Sequence, residues 1–316
     1  MDLKQLIALV TVAEVGSVTK AAQLLHVVQP AVTRQIRALE RELGVELFER
    51  SRAGMIPTDA GLVLVERARR ALAELDRARA QLRPETGHIR GVVRVGLLES
   101  VIDFLVEPLV AAMAERHPEV TLHIVTAYSG DLQRWLDAGD LDLSLLYDLS
   151  SGPSMAMIPL LEERLWAVAP LGEGLSPERP VSLVEVLGHP LVLPISGHGL
   201  RAIFDRARAG VTPHPRIAVE TNSISVQKQL VLGGYGWSVL PAAGVAADVA
   251  AGRLSGAPVT APEMTRAVVL GIQRGHASPA VDAVSRQLSE QVWRLVSSGR
   301  WPALPSPSAA AAPTDQ

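Results

Sequence analysis

The sequence predicts two folds in series: an all-helical, winged helix-turn-helix head with a long trailing helix, then an α/β domain. Three observations predict this. Projected at about 100° per residue, QPAVTRQIRALERELG (Gln29 to Gly44) gathers Val32, Ile36, Leu39 and Leu43 in one narrow arc, with Pro30, Arg34, Arg37 and Arg41 on the opposite side. Val65, Ala68, Leu72, Leu75, Arg79 and Leu82 alternate by four and three, the spacing of a coiled-coil seam. From Gly91 onward, strand-like runs alternate with helix-like ones, which implies a parallel, doubly wound sheet.

The head takes its order from the chain. Leu3, Leu6, Ile7, Val10 and Ala13 repeat at helical spacing and predict a first helix packed across the next two. GSVTKAAQLLHVV predicts a short second helix, with Ser17 placed to accept the free amides of its first turn and Val18, Ala21, Ala22 and Leu25 buried. The break at His26 to Val28, followed by Pro30 where a first-turn proline is tolerated, gives helix, turn, helix. In that arrangement the second helix enters a major groove while the first crosses the backbone. VELFERSRAGMIPTDAG predicts a small two-stranded wing with Arg50 and Arg52 near its tip, positions suited to phosphate contact or to plain solvation.

Thr58 and Asp59 open the long helix, which Pro84 stops near Arg83. About 25 residues at 1.5 Å each make a rod of roughly 35 Å. Val65, Leu72, Leu75 and Leu82 are its expected dimerisation residues, and the alternative is packing against its own domain. Residues 84–90 then predict a hinge, giving 1–58 as the reader, 59–83 as the linker helix and 91–300 as the α/β domain.

Composition narrows the function classes. The 316 residues, 48% hydrophobic, suffice for two or three domains with real cores. Without a cysteine there is no disulfide, thiolate metal site or cysteine nucleophile, which fits a reducing cytoplasm. Asp2, Thr11 and Glu14 interrupt the N-terminal apolar run, so it lacks the layout of a secretion signal, and no stretch approaches the ~20 apolar residues of a membrane span. The net charge of −3 conceals a division: residues 1–90 hold 14 Lys and Arg against 11 Asp and Glu, and the remainder 16 against 22. Cations therefore gather where DNA would lie. No G-x-S-x-G, H-E-x-x-H or P-loop occurs, GGYGWS at Gly233 follows a helix rather than a strand, and the histidines are scattered, so neither cofactor nor metal is expected.

AAQLLHVVQPAVTRQIRALERELGVELFERSRAGMIPTDAG (Ala21 to Gly61) resembles the DNA-binding segment of LysR-type transcriptional regulators, and the likeness continues across almost the whole chain. LHIVTAYSGDLQRWLDAGDLDLSLLYD (Leu122 to Asp148) resembles the nitrogen-assimilation-control branch of that family. The resemblance implies that the α/β part is an effector-binding domain of two lobes like a periplasmic solute-binding protein. Lobe I would be 91–163 with 265–300, lobe II 164–264, and 301–316 a disordered tail. It also implies as partners double-stranded promoter DNA, a small-molecule effector, a second copy of the chain in a homodimer or homotetramer, and RNA polymerase. On DNA the expected contacts are Ser17, Gln29, Pro30, Thr33, Arg34, Arg37, Arg50 and Arg52.

In an open α/β sheet the ligand lies beyond the carboxyl ends of the strands. Four strand-to-helix junctions there carry a hydroxyl: Ser100, Ser129, Ser196, and Thr221 with Ser223. Singly these read as helix caps; together they suit a small anion or carboxylate. His198 and Arg201 are the expected partners of a carboxylate, Tyr147 a residue that lines the cleft or covers the core, and Glu99 a group that repels an anion unless it points away or meets a ligand amine. The alternatives of a different class are an α/β enzyme and a solute-binding protein, the second of which leaves residues 1–83 unexplained.

Overall fold

The computed structural model describes residues 1–51, 54–82, 89–147, 155–274 and 278–306, with the side chains of 50, 51, 73, 76, 77, 79–82 and 305 left aside. The chain divides into two compact units, Met1–Pro84 and Glu85–Gln316.

In the first unit α1 (Leu3–Val15), α2 (Val18–Leu24) and α3 (Gln29–Leu43) precede the antiparallel wing β1 (Phe48–Ser51) and β2 (Gly54–Pro57), and α4 (Asp59–Leu82) follows. Sequence chemistry sets the boundaries. Asp2 and Gln5 form a reciprocal capping box on α1, and Ser17 Oγ accepts from Lys20 N at 3.4 Å to cap α2. Gly44 ends α3 at φ 71°, a left-handed conformation that glycine adopts without strain. Ala8, Leu9, Val12, Ala21, Ala22, Val32, Ile36, Leu39, Leu47 and Phe48 make one core. On α1 the most buried residues are Ala8, Leu9 and Val12, with Leu6, Val10 and Ala13 half-buried around them; that helix is apolar on nearly every side, so its sequence could not fix the inward face.

Two expectations for this unit need correction. Leu43 is 43% exposed, because the last turn of α3 projects beyond the core and meets Val45, Ala60 and Val63 along a shallow apolar hollow of about 480 Å³. Val65, expected on a dimer seam, is only 5% exposed and packs with Ala68 in the head's own core. The first turns of α4 therefore belong to the head. Leu72 is half-buried and Leu75 is 44% exposed; the side chains of Arg79 and Leu82, residue 83 at the end of the expected linker helix and residues 84–88 of the expected hinge lie outside the described residues.

The second unit begins with β3 (Gly91–Leu98), α5 (Ile102–Arg116), β4 (Val120–Ala127), α6 (Ser129–Asp137) and β5 (Leu143–Tyr147). The 16-residue strand β6 (Met155–Pro170) leads into β7 (Val181–Ser182), α7 (Leu183–Leu187), β8 (Pro190–Pro194), α8 (Gly199–Ala207), β9 (Arg216–Thr221) and α9 (Ile224–Leu232). Then come β10 (Ser238–Pro241), α10 (Ala242–Ala250), β11 (Leu254–Thr260), β12 (Thr265–Gln273), α11 (Pro279–Ser297) and β13 (Ala303–Pro305). β4, β3 and β5 are parallel, but β12 runs antiparallel to both β5 and β6. The sheet is therefore mixed rather than purely parallel. β6 and β12 carry the chain between two lobes, each with its own core: Leu97, Leu105, Leu145 and Leu288 in one, Leu193, Phe204, Trp237 and Val259 in the other.

Several elements escape sequence reading for local reasons. Pro159 interrupts the first half of β6, where the register against β12 shifts between Val268 and Val269. β11 contains Gly256 and Pro258; a Cβ on Gly256 would lie 2.9 Å from Val249, so glycine is what lets α10 approach. α10, AAGVAADVA, is too uniformly small and apolar to show a face.

The first residues of the expected disordered tail are ordered instead. Trp301 is fully buried edge-on against Phe104, with ring centroids 5.3 Å apart, and β13 pairs with β6; residues 307–316 lie outside the described residues. Truncating a buried tryptophan costs about 3–5 kcal/mol. The expected result for Trp301→Ala is a lower urea midpoint for the second unit by circular dichroism; an unchanged midpoint would show that Trp301 does not carry core packing.

Candidate functional site

On α3 Gln29, Pro30, Arg34, Arg37 and Arg41 form an exposed face, with Glu42 and Leu43 also exposed in the last turn, while Val32, Ile36 and Leu39 hold the helix to its core. The exposed face borders a groove of about 1090 Å³ lined by Gln29, Pro30, Thr33, Arg34 and Arg37. Thr33 Oγ1 donates back to Gln29 O at 3.2 Å, and Arg41 Nε to Arg37 O at 3.2 Å. Among the described residues no carboxylate pairs with Arg34 or Arg37, so both guanidiniums keep their donors for an external acceptor. Ser17 lies at the start of α2 with its hydroxyl used as a cap. Arg50 is on β1 with its side chain outside the described residues, as is all of Arg52.

In the second unit the structure brings together only part of the expected set. A groove of about 570 Å³ runs along Tyr128, Ser129, Tyr147, Ser196, His198 and Arg206. At its inner end Ser100 is buried in a 3₁₀ turn, with Oγ 2.6 Å from Tyr147 OH and accepting from Arg266 Nη2 at 3.2 Å. Ser129 Oγ accepts from Tyr147 N at 2.9 Å, and Ser196 is exposed in the loop before α8. Thr221 and Ser223 do not line the groove: Thr221 Oγ1 accepts from Ser223 N, and Ser223 Oγ caps α9 at Val226 N.

Two expectations fail on charge. Arg201 donates to Asp205 Oδ2 at 3.0 Å, to Pro194 O at 3.0 Å and to Glu220, so it is a structural clamp rather than a free cation. Glu99 neither repels an anion in open space nor awaits an amine. It reaches from one lobe to the other and accepts from Ser223 Oγ at 3.1 Å, Ile224 N at 3.3 Å and Ser225 N at 3.4 Å. The positive end of α9, one of the places proposed for a ligand carboxylate, thus holds the protein's own carboxylate.

Sequence reading missed Arg266, Glu163 and Tyr128. Arg266 and Glu163 are both fully buried and paired at 2.5 Å, directly across the β6–β12 ladder. The available signal was an inward charge of each sign on two apolar strands, since a buried charge demands a partner. Arg266 Cζ also sits 3.5 Å from the Tyr147 ring centroid, a cation–π contact. Burial pushes the Tyr147 phenol up to about 12, partly offset by Arg266, so it stays protonated at neutral pH. Tyr128 is likewise pushed up to about 12 by burial and then by Glu99 and Asp131. Among the described residues no group of three or more His, Asp or Glu could hold a metal, and no single helix is long and apolar enough to cross a membrane.

A winged helix-turn-helix joined to a two-lobed α/β domain defines a DNA-binding regulator that carries a ligand-binding domain. Residues 3–62 match the bacterial regulatory helix-turn-helix protein of the lysR family, and residues 86–293 match the LysR substrate binding domain. The chain belongs to the LysR family of transcriptional regulators. It is 31% identical over 298 residues to the nitrogen assimilation regulatory protein Nac of Klebsiella aerogenes, covering 93% of this chain and 96% of Nac. It is 34% identical over 259 residues to the regulator CbbR of Xanthobacter flavus, covering 80% and 76%. Its fold is similar to that of a full-length OxyR variant from Pseudomonas aeruginosa, at TM-score 0.69 and 24% identity, covering 92% of this chain and 94% of that one. It is also similar to CbnR complexed with its target DNA, at TM-score 0.66 and 24% identity, covering 93% and 99%. The matched families and relatives are regulators, which sets aside the enzyme and solute-binding alternatives.

His198 caps α8, with Nδ1 accepting from Leu200 N at 3.1 Å. Burial, reinforced by Arg266 and opposed by Glu99 and Asp131, pushes its imidazole down to about 4. An unfolded histidine titrates near ~6.5, so as pH falls the unfolded chain takes the proton first. The stability that depends on a neutral His198 is complete above that value and is lost progressively down to about pH 4. His198→Asn keeps an acceptor for Leu200 N but has no such titration. The expected outcome is that melting temperatures of wild type and variant move several degrees in the variant's favour between about pH 7.5 and about pH 5; a constant gap would show an imidazole that titrates freely.

Proposed function

We propose that this regulator seats α3 in the major groove of promoter DNA. Gln29, Thr33, Arg34 and Arg37 contact base edges or phosphates, while Ser17, Pro30 and the wing residues Arg50 and Arg52 lie along the backbone. The observation that carries this is the pair Arg34 and Arg37, exposed side by side on a helix whose other face is buried, with no carboxylate partner among the described residues. Paired copies of the chain bind an inverted repeat, with Leu72, Leu75 and Leu82 in the contact between them. An effector held between the two lobes alters those DNA contacts, and the protein works in the cytoplasm.

Arg34→Ala removes only exposed atoms, so folding should survive while binding to the native promoter fragment weakens by about tenfold or more. The measurement is a gel shift at physiological salt, with circular dichroism as the folding control. Undiminished promoter affinity in a folded variant would overturn the assignment of α3 as the reading helix.

A further inference from the structure

Between the lobes, beneath the groove, lies a cavity of only about 10 Å³ lined by Glu99, Ser100, Tyr128, Tyr147, His198 and Arg266. Three of those residues present a buried polar atom with no hydrogen-bond partner: Tyr128 OH, His198 Nε2 and Arg266 Nη1. Such orphans are normally destabilising, and three on one cavity are unusual for a site with only a structural role.

All three can donate. Arg266 commits Nε and Nη2 to Glu163 Oε2 and shares Nη2 with Ser100 Oγ, which leaves both Nη1 hydrogens unspent. The neutral His198 ring accepts from Leu200 N through Nδ1, so its hydrogen is on Nε2. Tyr128 is a protonated phenol. A fourth donor comes from the Ser100–Tyr147 contact at 2.6 Å: two hydroxyl protons meet there and only one lies between the oxygens. The carboxylate of Glu99, also on the wall, already takes three donors at the start of α9.

We propose that this cluster of donors seats an acid anion, a ligand carboxylate or equivalent oxyanion, with the rest of the ligand lying in the adjoining groove. The inference deepens the reading of this unit as an effector domain and rests on it. Cavity and groove share Tyr128, Tyr147, His198 and Leu200, so one molecule can span both once the lobes part to admit it. An amide nitrogen or ammonium placed there would face N–H and O–H groups, so the site discriminates by donor count as well as by charge.

The test uses the full chain and acetate as the probe, with acetamide and equimolar sodium chloride as references, in wild type and Tyr128→Phe. Acetate should raise the wild-type melting temperature above both references, since binding to the folded state stabilises it. Tyr128→Phe discards an unpaired hydroxyl, so without ligand it should melt at or above wild type, while its apparent acetate affinity falls about tenfold. Any general salting effect of acetate is common to both proteins. Equal shifts from acetate and acetamide, a full acetate response in Tyr128→Phe, or a lower melting temperature for that variant without ligand would overturn the proposal. A thermal-shift screen of uncharged and cationic metabolites on the same preparations separates the two failures: stabilisation by one of these without acetate selectivity sinks this inference alone.

Discussion

The second unit depends on one ion pair. Glu163 on β6 and Arg266 on β12 face each other with no exposure to solvent, on the two strands that carry the chain between lobes. Two charges in such a place are tolerated when most of their remaining groups are bonded, and here only Arg266 Nη1 has no partner among the described residues. Glu163 Oε1 accepts from Ala243 N at 2.5 Å, Oε2 takes two guanidinium nitrogens, and Arg266 reaches on to Ser100. The pair thereby ties β6, β12, the start of α10 and the 3₁₀ turn after β3 to one point. Losing either partner alone would strand the other charge, at a cost of about 3–5 kcal/mol.

Around that point the lobes keep largely separate apolar cores, although Ala243 of α10 packs into the first lobe's cluster, and polar contacts also join them. Leu97, Leu145 and Leu288 belong to one cluster and Leu193, Phe204 and Val259 to another. Glu99, from the first lobe, satisfies the free amides at the start of α9 in the second. Water and a new anion can exchange with contacts of this kind at modest net cost, because each hydrogen bond lost to protein is regained from solvent. A binding domain that opens and closes needs that property, which a continuous hydrophobic interface would deny it.

Legibility in the sequence followed how much of each signal is local. The head was readable because caps, Gly44, Pro30 and the 3.6-residue period of α3 all lie within a few residues of what they specify. The mixed sheet was not, since the direction of β12 depends on partners over a hundred residues away and Pro159 hides half of β6. At the cleft the hydroxyls were visible and their engagements were not. Ser100, Ser129 and Ser223 each bond to residues that approach only after folding or to their own helix start, and Arg201 is spent on Asp205 and Glu220. Arg266 gave no motif; its meaning lies in Glu163 opposite.

The burial of Val65 and Ala68 among the residues of α1 and α3 means that α4 begins as part of the reader rather than as an appendage to it. Reader and rod share one core, with Arg69 of α4 also bonded to Glu14 of α1 at 3.2 Å. No slack joint lies between them, so torque applied at the far end of the helix would not be absorbed by flexing. It would arrive as a reorientation of the whole head, α3 included.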